Sequence, residues 1–371
     1  MFKLKNKLMA GGGMGGGGGM NGNCNMGGMG NEQFTYRMPN QSQFEAKVTP
    51  DIIFNRTVYM CGTITMDPIP ALGRGTVDIT VWGFDGDNQD GNGQTLDSSY
   101  TSAFPSIPMR VTQGQIAHTV LNVGMMLTHT VHHHGIEPDY RSDGVGHDSW
   151  DVNGQYTYQW KPSHAGTFFY HCHSNTVLHV EMGMYGALIV DPPEGPGTAY
   201  EKGPTYDVEA IWAVDEIDPN WHTHHWTDGM AIGDPNDTIR HHDLNPEYFI
   251  ISGVDGRESA STDPRVAVTM SVGQTLLIRY IHAGYMPQEA DFGGLDVKII
   301  ASDGRPLRKA DGTPSPEALV NGKLETVSAE RYDILYTATA ADKGANVVQF
   351  NINDWITTKT IGTAKTVITV V

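Results

Sequence analysis

Cysteine is scarce in this chain, with 3 in 371 residues, too few for a disulfide framework. Cys61 lies in an apolar stretch, Val58-Tyr59-Met60-Cys61-Gly62, and reads as a buried thiol. Cys24 reads as unpaired, with a Cys24–Cys61 bridge as the alternative. Long apolar runs are absent too. None approaches the ~18 residues of a membrane-spanning helix, and the mean hydropathy of −0.33 reads as a soluble chain. Basic residues are outnumbered: 24 Lys and Arg face 42 Asp and Glu, for a net charge of −18. That balance argues against nucleic acid and anionic membranes as partners. It permits docking to a basic protein or attraction of a small cation, and solubility alone would also explain it. The start, Phe2-Lys3-Leu4-Lys5-Asn6-Lys7-Leu8-Met9, is basic, but no apolar stretch of 7–15 residues comes after it as a secretory signal requires.

Glycine dominates the next stretch. Twelve glycines fall between Gly11 and Gly30, together with Met14, Met20, Met26 and Met29. Such a segment cannot bury a core, so residues 1–33 read as a flexible tail. Its thioethers would suit Cu(I), which makes copper collection an alternative to a plain leader.

At ~150 residues per domain the chain should hold two domains. Thr76-Val77-Asp78-Ile79-Thr80-Val81-Trp82-Gly83-Phe84 and Tyr156-Thr157-Tyr158-Gln159-Trp160 alternate with period two, as half-buried strands do. Asp191-Pro192-Pro193-Glu194-Gly195-Pro196-Gly197 breaks the pattern and marks a boundary. Beyond it, 206–212, 248–254 and 276–281 read as strands, and 266–274 echoes 109–115 in leading into one. The expectation is all-β: two tandem Greek-key sandwiches over 34–195 and 200–371, an internal repeat with few helices.

The densest chemistry is the run His171-Cys172-His173-Ser174-Asn175-Thr176-Val177-Leu178-His179-Val180-Glu181-Met182-Gly183-Met184. Thiolate, imidazole and thioether in one short loop suit copper, because trigonal His₂Cys with a weak axial Met is the blue-copper arrangement. A second histidine should come from an earlier strand, and Leu127-Thr128-His129-Thr130-Val131-His132-His133-His134-Gly135 offers His129. His132 and His134 share strand parity and can pair on another metal, while His133 points elsewhere. His171 and His173, flanking Cys172, can face a second metal in the same way.

These two motifs resemble those of the multicopper oxidases. His132-His133-His134-Gly135 is similar to that family's His-x-His-Gly element, and 171–184 to its His-Cys-His…His…Met element with a slightly longer loop. The spacing of His129 and His134 also resembles the first domain of the two-domain copper nitrite reductases. The flanks 166–170 and 185–192 are similar to cupredoxin strands around the copper. The resemblance covers 50–371 in outline and is specific over 127–190. It implies tandem cupredoxin domains, with His129, Cys172, His179 and Met184 as ligands of a type 1 blue copper. Met182 competes for the axial place, and Met184 is preferred for its distance of five residues from His179. His132, His134, His171 and His173 would hold further type 2 or type 3 copper and carry the catalysis.

The second copy departs from the pattern. Residues 347–355 have no Cys or His, and Gln288-Glu289-Ala290-Asp291 stands where a His pair is expected. His282 reads as a satisfied turn residue. The first domain offers four of the eight histidines of a full three-copper cluster, so a mono- or dinuclear centre shared between subunits is the expectation. His222, His224, His225, His241 and His242 form a His-rich insertion that reads as a surface loop able to reach a neighbouring subunit. His147 could face the copper pocket or be a loop histidine, and His118 and His164 read as ordinary strand or turn residues.

The function so implied is a copper-dependent oxidoreductase of the multicopper oxidase type. It takes electrons from a small reductant or redox protein through blue copper to an oxygen-reducing site. The alternative is a blue-copper electron carrier or copper-handling protein. Nitrite reduction fits less well, because His132 stands where those reductases place an Asp and His173 comes directly after Cys172. The resemblance further implies a ring-shaped homotrimer and a periplasmic or extracellular setting, with an export signal not visible in the sequence.

Overall fold

The computed structural model describes residues 48–86, 104–123, 128–145, 149–223 and 243–371. The N-terminal half contributes β1 (Ile52–Met66), β2 (Val77–Gly86), β3 (Met109–Thr112), β4 (Ala117–Asn122), β5 (His132–His134), β6 (Gln155–Trp160), β7 (Gly166–His171) and β8 (Tyr185–Asp191). A single α-helix among the described residues, α1 (Thr176–Glu181), interrupts them. The C-terminal half contributes β9 (Val208–Ile217), β10 (Tyr248–Ile251), β11 (Val254–Asp255), β12 (Val268–Met270), β13 (Thr275–His282), β14 (Gln288–Asp291) and β15 (Val297–Ser302). It ends with β16 (Arg305–Pro306), β17 (Glu317–Ala318), β18 (Lys323–Thr326), β19 (Arg331–Thr337), β20 (Gly344–Asn353) and β21 (Thr360–Val370). The fold is all-β, in two tandem cupredoxin-like sandwiches.

The repeat is explicit in the pairing. The first sandwich has sheets ordered β2-β1-β4-β6 and β3-β8-β7-β5. The second contains the same orders in β10-β9-β13-β19 and β12-β21-β20-β14, each extended at its edges. The parallel pairs match as well: β1 with β4 and β3 with β8, then β9 with β13 and β12 with β21. Thus β5 and β7 of the first copy correspond to β14 and β20 of the second.

Alternation puts one face of each sheet in a core. Along β1, Ile52, Phe54, Arg56, Val58 and Met60 are buried and the residues between them mostly exposed. Trp82, Phe84, Tyr158, Trp160, Phe168 and Tyr170 fill the first core; Trp212, Tyr280, Phe350 and Ile352 fill the second. A third apolar cluster crosses the halves, joining Phe169, Tyr185 and Ala187 to Ala213, Ile217, Tyr248 and Ile281.

Polar contacts reinforce that junction. Arg110 reaches Asp191 at 2.7 Å and Glu209 at 2.6 Å, and Arg279 holds Glu209 at 2.6 Å and lies 3.6 Å from Asp333. These charges are largely buried, so each needs its partner to offset lost hydration. Tyr185 donates to Asp215 at 2.7 Å, and the backbone N–H of Asp218 donates to Glu181 at 2.8 Å. No helix among the described residues is long and apolar enough to cross a membrane.

Cys61 departs from the expected buried thiol: it is disulfide-bonded, and it is exposed where the β1–β2 register shifts between Tyr59 and Gly62. Cys24, like the rest of the Gly/Met-rich tail, lies outside the described residues.

Candidate metal centre

Three elements converge on Cys172. The backbone of His129 pairs with Val152 through hydrogen bonds of 3.1 and 3.0 Å, holding this segment beside the end of β7. Cys172 comes directly after β7, and its N–H donates to Met184 O at 2.9 Å, closing the loop on β8. Within that loop α1 carries His179. The Cys172 Sγ then lies 3.6 Å from His129 Nδ1 and 3.1 Å from His179 Nδ1, and the two rings are 4.6 Å apart. His129, Cys172 and His179 are essentially excluded from water, as are Met182 and Met184.

Burial shapes their protonation. It pushes the Cys172 thiol up to about 12 and, with the neighbouring His179, drives the His129 imidazole well below its ordinary value. The His129 imidazole is therefore neutral, the form that binds metal, while the thiol needs a cation beside it to ionise. A soft, dry S,N,N donor set of this kind fits copper. Both Met184 and Met182 lie in the same core cluster as Cys172.

The second group lies on the other side of the same strands. His132 pairs with His171 across β5 and β7, and His134 with Phe169. Ligand atoms of His132, His134 and His171 all lie within 4.8 Å of one another. His134 Nδ1 is 3.2 Å from His171 Nε2. The half-buried His173 ring is 5.5 Å from His132 and 5.7 Å from His171, so it borders the group. The backbone N–H of His173 donates to Thr130 Oγ1 at 2.8 Å.

Neighbouring groups select which nitrogens face inward. His132 Nδ1 bonds to Asp143 O at 2.7 Å, and His171 Nδ1 to Cys172 O at 3.0 Å. Each leaves Nε2 with its lone pair, as an outer partner does for a metal-bound histidine. Burial, reinforced by Arg331, holds His134 down at about 3. Neutral imidazoles whose ring nitrogens converge in this way can hold a metal cation between them.

His133 faces away: its Nε2 meets Thr119 Oγ1 at 2.9 Å, and its ring packs 4.7 Å from Trp160. His118 bonds Gln159 at 3.1 Å on β4, and His164 meets Ser163 at 2.8 Å in a turn. His282 is buried and bonded on both sides, to Thr326 Oγ1 at 2.8 Å and Met286 O at 2.9 Å. His222 departs from the surface-loop expectation. It is buried against the first sandwich, with Nδ1 2.5 Å from Thr80 O and Nε2 3.7 Å from Glu181. A residue so enclosed cannot reach a neighbouring subunit. His147, His224, His225, His241 and His242 lie outside the described residues.

Sequence reasoning did not single out Asp143, Glu181 or Tyr285. Asp143 acts through its backbone oxygen, which any residue type supplies. Tyr285 Oη donates to Val177 O on α1 at 2.5 Å, across 108 residues of chain. No local spacing signals such a contact.

Residues 90–195 match the sequence profile of a multicopper oxidase family. A copper resistance protein A homolog of Pseudomonas syringae pv. tomato is 36% identical over 78 residues, 20% of this chain and 13% of that protein. The multicopper oxidase MmcO of Mycobacterium tuberculosis is 26% identical over 234 residues, 56% of this chain and 41% of that one. The chain thus matches less than half the length of these relatives. Among solved structures, a blue copper oxidase from Nitrosomonas europaea superposes with TM-score 0.60 at 22% identity, covering 86% of each chain. A copper nitrite reductase from the same organism gives 0.58 at 16% identity, covering 86% of this chain and 93% of that one. At such identities these two show a shared fold.

Proposed function

Given a multicopper oxidase domain on a cupredoxin fold, with copper as its cofactor, we propose that this chain is an oxidase that couples a reductant to oxygen through two copper centres. His129, Cys172, His179 and Met184 would hold the blue copper, and His132, His134, His171 and His173 the second centre. The observation that carries the reading is the adjacency of the two ligand groups, joined by the consecutive residues His171, Cys172 and His173. Bound there, copper supplies one-electron redox chemistry at the first group and a site for oxygen at the second.

The chain's own residues set the conditions. Asp143 O and Cys172 O fix the faces of His132 and His171. Burial keeps water from the Cys172 sulfur, and the hydrogen bond from His171 Nδ1 to Cys172 O gives the two centres a short linkage. Sandwich packing alone is a poor explanation for three imidazoles whose ligand nitrogens converge to within 4.8 Å of one another. The test is His134→Ala with His173→Ala. The blue copper should survive while the non-blue copper and oxygen consumption disappear. Retention of both would sink the assignment.

One observation favours the rival reading, a blue-copper electron carrier or copper-handling protein. The second sandwich places Gln288, Ala290 and Ile352 at the register positions where the first has its histidines, and no ligand cluster occurs there among the described residues. A neighbouring subunit would resolve the shortage. We therefore propose a ring-shaped homo-oligomer, since cyclic symmetry closes head-to-tail contacts, with three subunits as the resemblance to the two-domain copper proteins implies. The disulfide-bonded Cys61 suits an oxidising compartment, periplasmic or extracellular. The electron donor is a small molecule or a redox protein, and oxygen is the acceptor.

A further inference from the structure

The register of β5 and β7 sets a phenyl ring among the clustered imidazoles. His134 stands directly opposite Phe169 in the ladder, and His171 comes two residues after Phe169 on the same face. The Phe169 ring stacks on both. It lies 4.6 Å from His134 at 24° and 5.1 Å from His171 at 27°. His132 is edge-on to the same two imidazoles, at 71° to each. Phe168 and Tyr170, of the opposite parity, fill the first core. Phe169 is thus the wall on which two of the three converging imidazoles rest.

That wall is braced from the second sandwich. Phe169 packs in the apolar junction with Ala213, Ile217 and Ile281. Arg331 opens β19 opposite Ile281 on β13, and its guanidinium carbon lies 5.8 Å from the Phe169 ring centre. The side chain is buried, with Arg331 4% exposed. Its Nη1 donates to Ala329 O at 2.6 Å and pairs with Asp303 at 2.9 Å. Ala329 has φ 71, a left-handed backbone that a side chain disfavours, so a strained residue presents the carbonyl that fixes Arg331. Gly135, directly after His134, leaves the guanidinium its room. A Cβ there would lie 2.6 Å from Arg331 Nη2.

A guanidinium over an aromatic face is attracted by the ring's negative face, and its planar fork keeps it oriented. A plain packing contact would need neither the charge nor the fork, since an apolar chain would fill the same space. In metal sites the groups behind the ligands set the planes of the imidazoles and tune affinity. The second sandwich offers no ligand cluster of its own among the described residues. Through Arg331 it still reaches the ligands of the first.

We propose that Arg331 is a positioning residue for the second metal centre: acting through Phe169, it fixes the imidazole planes of His134 and His171. This rests on the copper reading of that centre above. It adds a residue of the second sandwich that shapes the centre without binding the metal.

The test has two arms on the full chain. In the first, without metal, histidine-selective NMR reads the ring protons of His134 and His171, which the Phe169 face should displace upfield. The displacement should vanish in Phe169→Leu, shrink in Arg331→Met and be partly regained in Arg331→Lys, which returns the charge without the fork. Ring protons at their unfolded positions in the wild type, or left in place by Arg331→Met, overturn the proposal, and neither outcome depends on the Phe169 variant folding. In the second arm, copper(II) is titrated in and the non-blue signal followed by electron paramagnetic resonance, with the blue band of the Cys172 group as the control for folding. Phe169→Leu should weaken copper uptake at the second group roughly 10- to 100-fold and change its hyperfine splitting. Arg331→Met should weaken it several-fold, with Arg331→Lys intermediate. Affinity and splitting unchanged in both Phe169→Leu and Arg331→Met overturn the proposal. Ring displacements that follow Arg331 in a chain whose wild type takes up no non-blue copper would uphold its control of the imidazoles and refute the copper reading instead.

Discussion

Three consecutive histidines in β5 have two fates, set by strand parity alone. His132 and His134 meet His171 across the sheet, while His133 packs on Trp160 in the first core. That division was legible in the sequence because period two needs no tertiary information. The Cys172 group was legible for a related reason: its ligands fall in two short stretches of uncommon chemistry. On this account Cys172→Ser abolishes the visible thiolate-to-copper band and leaves the domain folded, as absorption and circular dichroism would show; a retained band contradicts it. Met184→Leu should keep the blue colour and raise the reduction potential, since the axial ligand tunes the metal more than it holds it. If potentiometry finds that effect in Met182→Leu and none in Met184→Leu, the axial assignment is wrong. His222 and Tyr285 were not legible, because their partners Thr80, Glu181 and Val177 come from distant elements.

Glu216 carries a pH prediction at the same scale. Burial, with Glu181 nearby, raises its carboxyl to about 8 from an ordinary 4.5. Between those values the unfolded chain releases a proton that the folded chain retains, so stability falls as pH rises through this window. Glu216→Gln keeps an oxygen for the Tyr285 and Met286 N–H groups but does not ionise. Its melting temperature should fall less than wild type's between pH 5 and 8. Parallel profiles would place the pH dependence elsewhere.

Among the elements, the loop from Cys172 to Met184 depends on one glycine. Gly183 has φ +108, and a Cβ there would lie 2.1 Å from the Phe104 ring and 2.9 Å from Trp82 O. Both the backbone strain and the clash oppose a side chain. Gly183→Ala should cost roughly 2–5 kcal/mol, read as a lower unfolding midpoint and weaker blue-copper retention. Strands over 76–84 and 156–160 were legible from alternation, 276–281 was legible as a strand without it, and the echo between 109–115 and 266–274 marks equivalent strands, β3 and β12. The helix α1 was not: six residues are too few for a periodic signal, and the loop's closure on Met184 and Glu181 decides its form.

For the whole molecule, two sandwiches share an apolar junction and a buried ion network, so they should unfold as one body. The proposed centre draws its described ligands from the first sandwich alone, which is why assembly matters. Light scattering at micromolar concentration should give three times the chain mass. A monomer there would remove both the trimer and a centre completed by a neighbour. The most direct measurement is a copper count per chain with electron paramagnetic resonance, made alongside oxygen uptake. The account predicts one blue copper plus further, non-blue copper, with oxygen consumed when a reductant is supplied. A single blue copper and no oxygen consumption with any donor would contradict it.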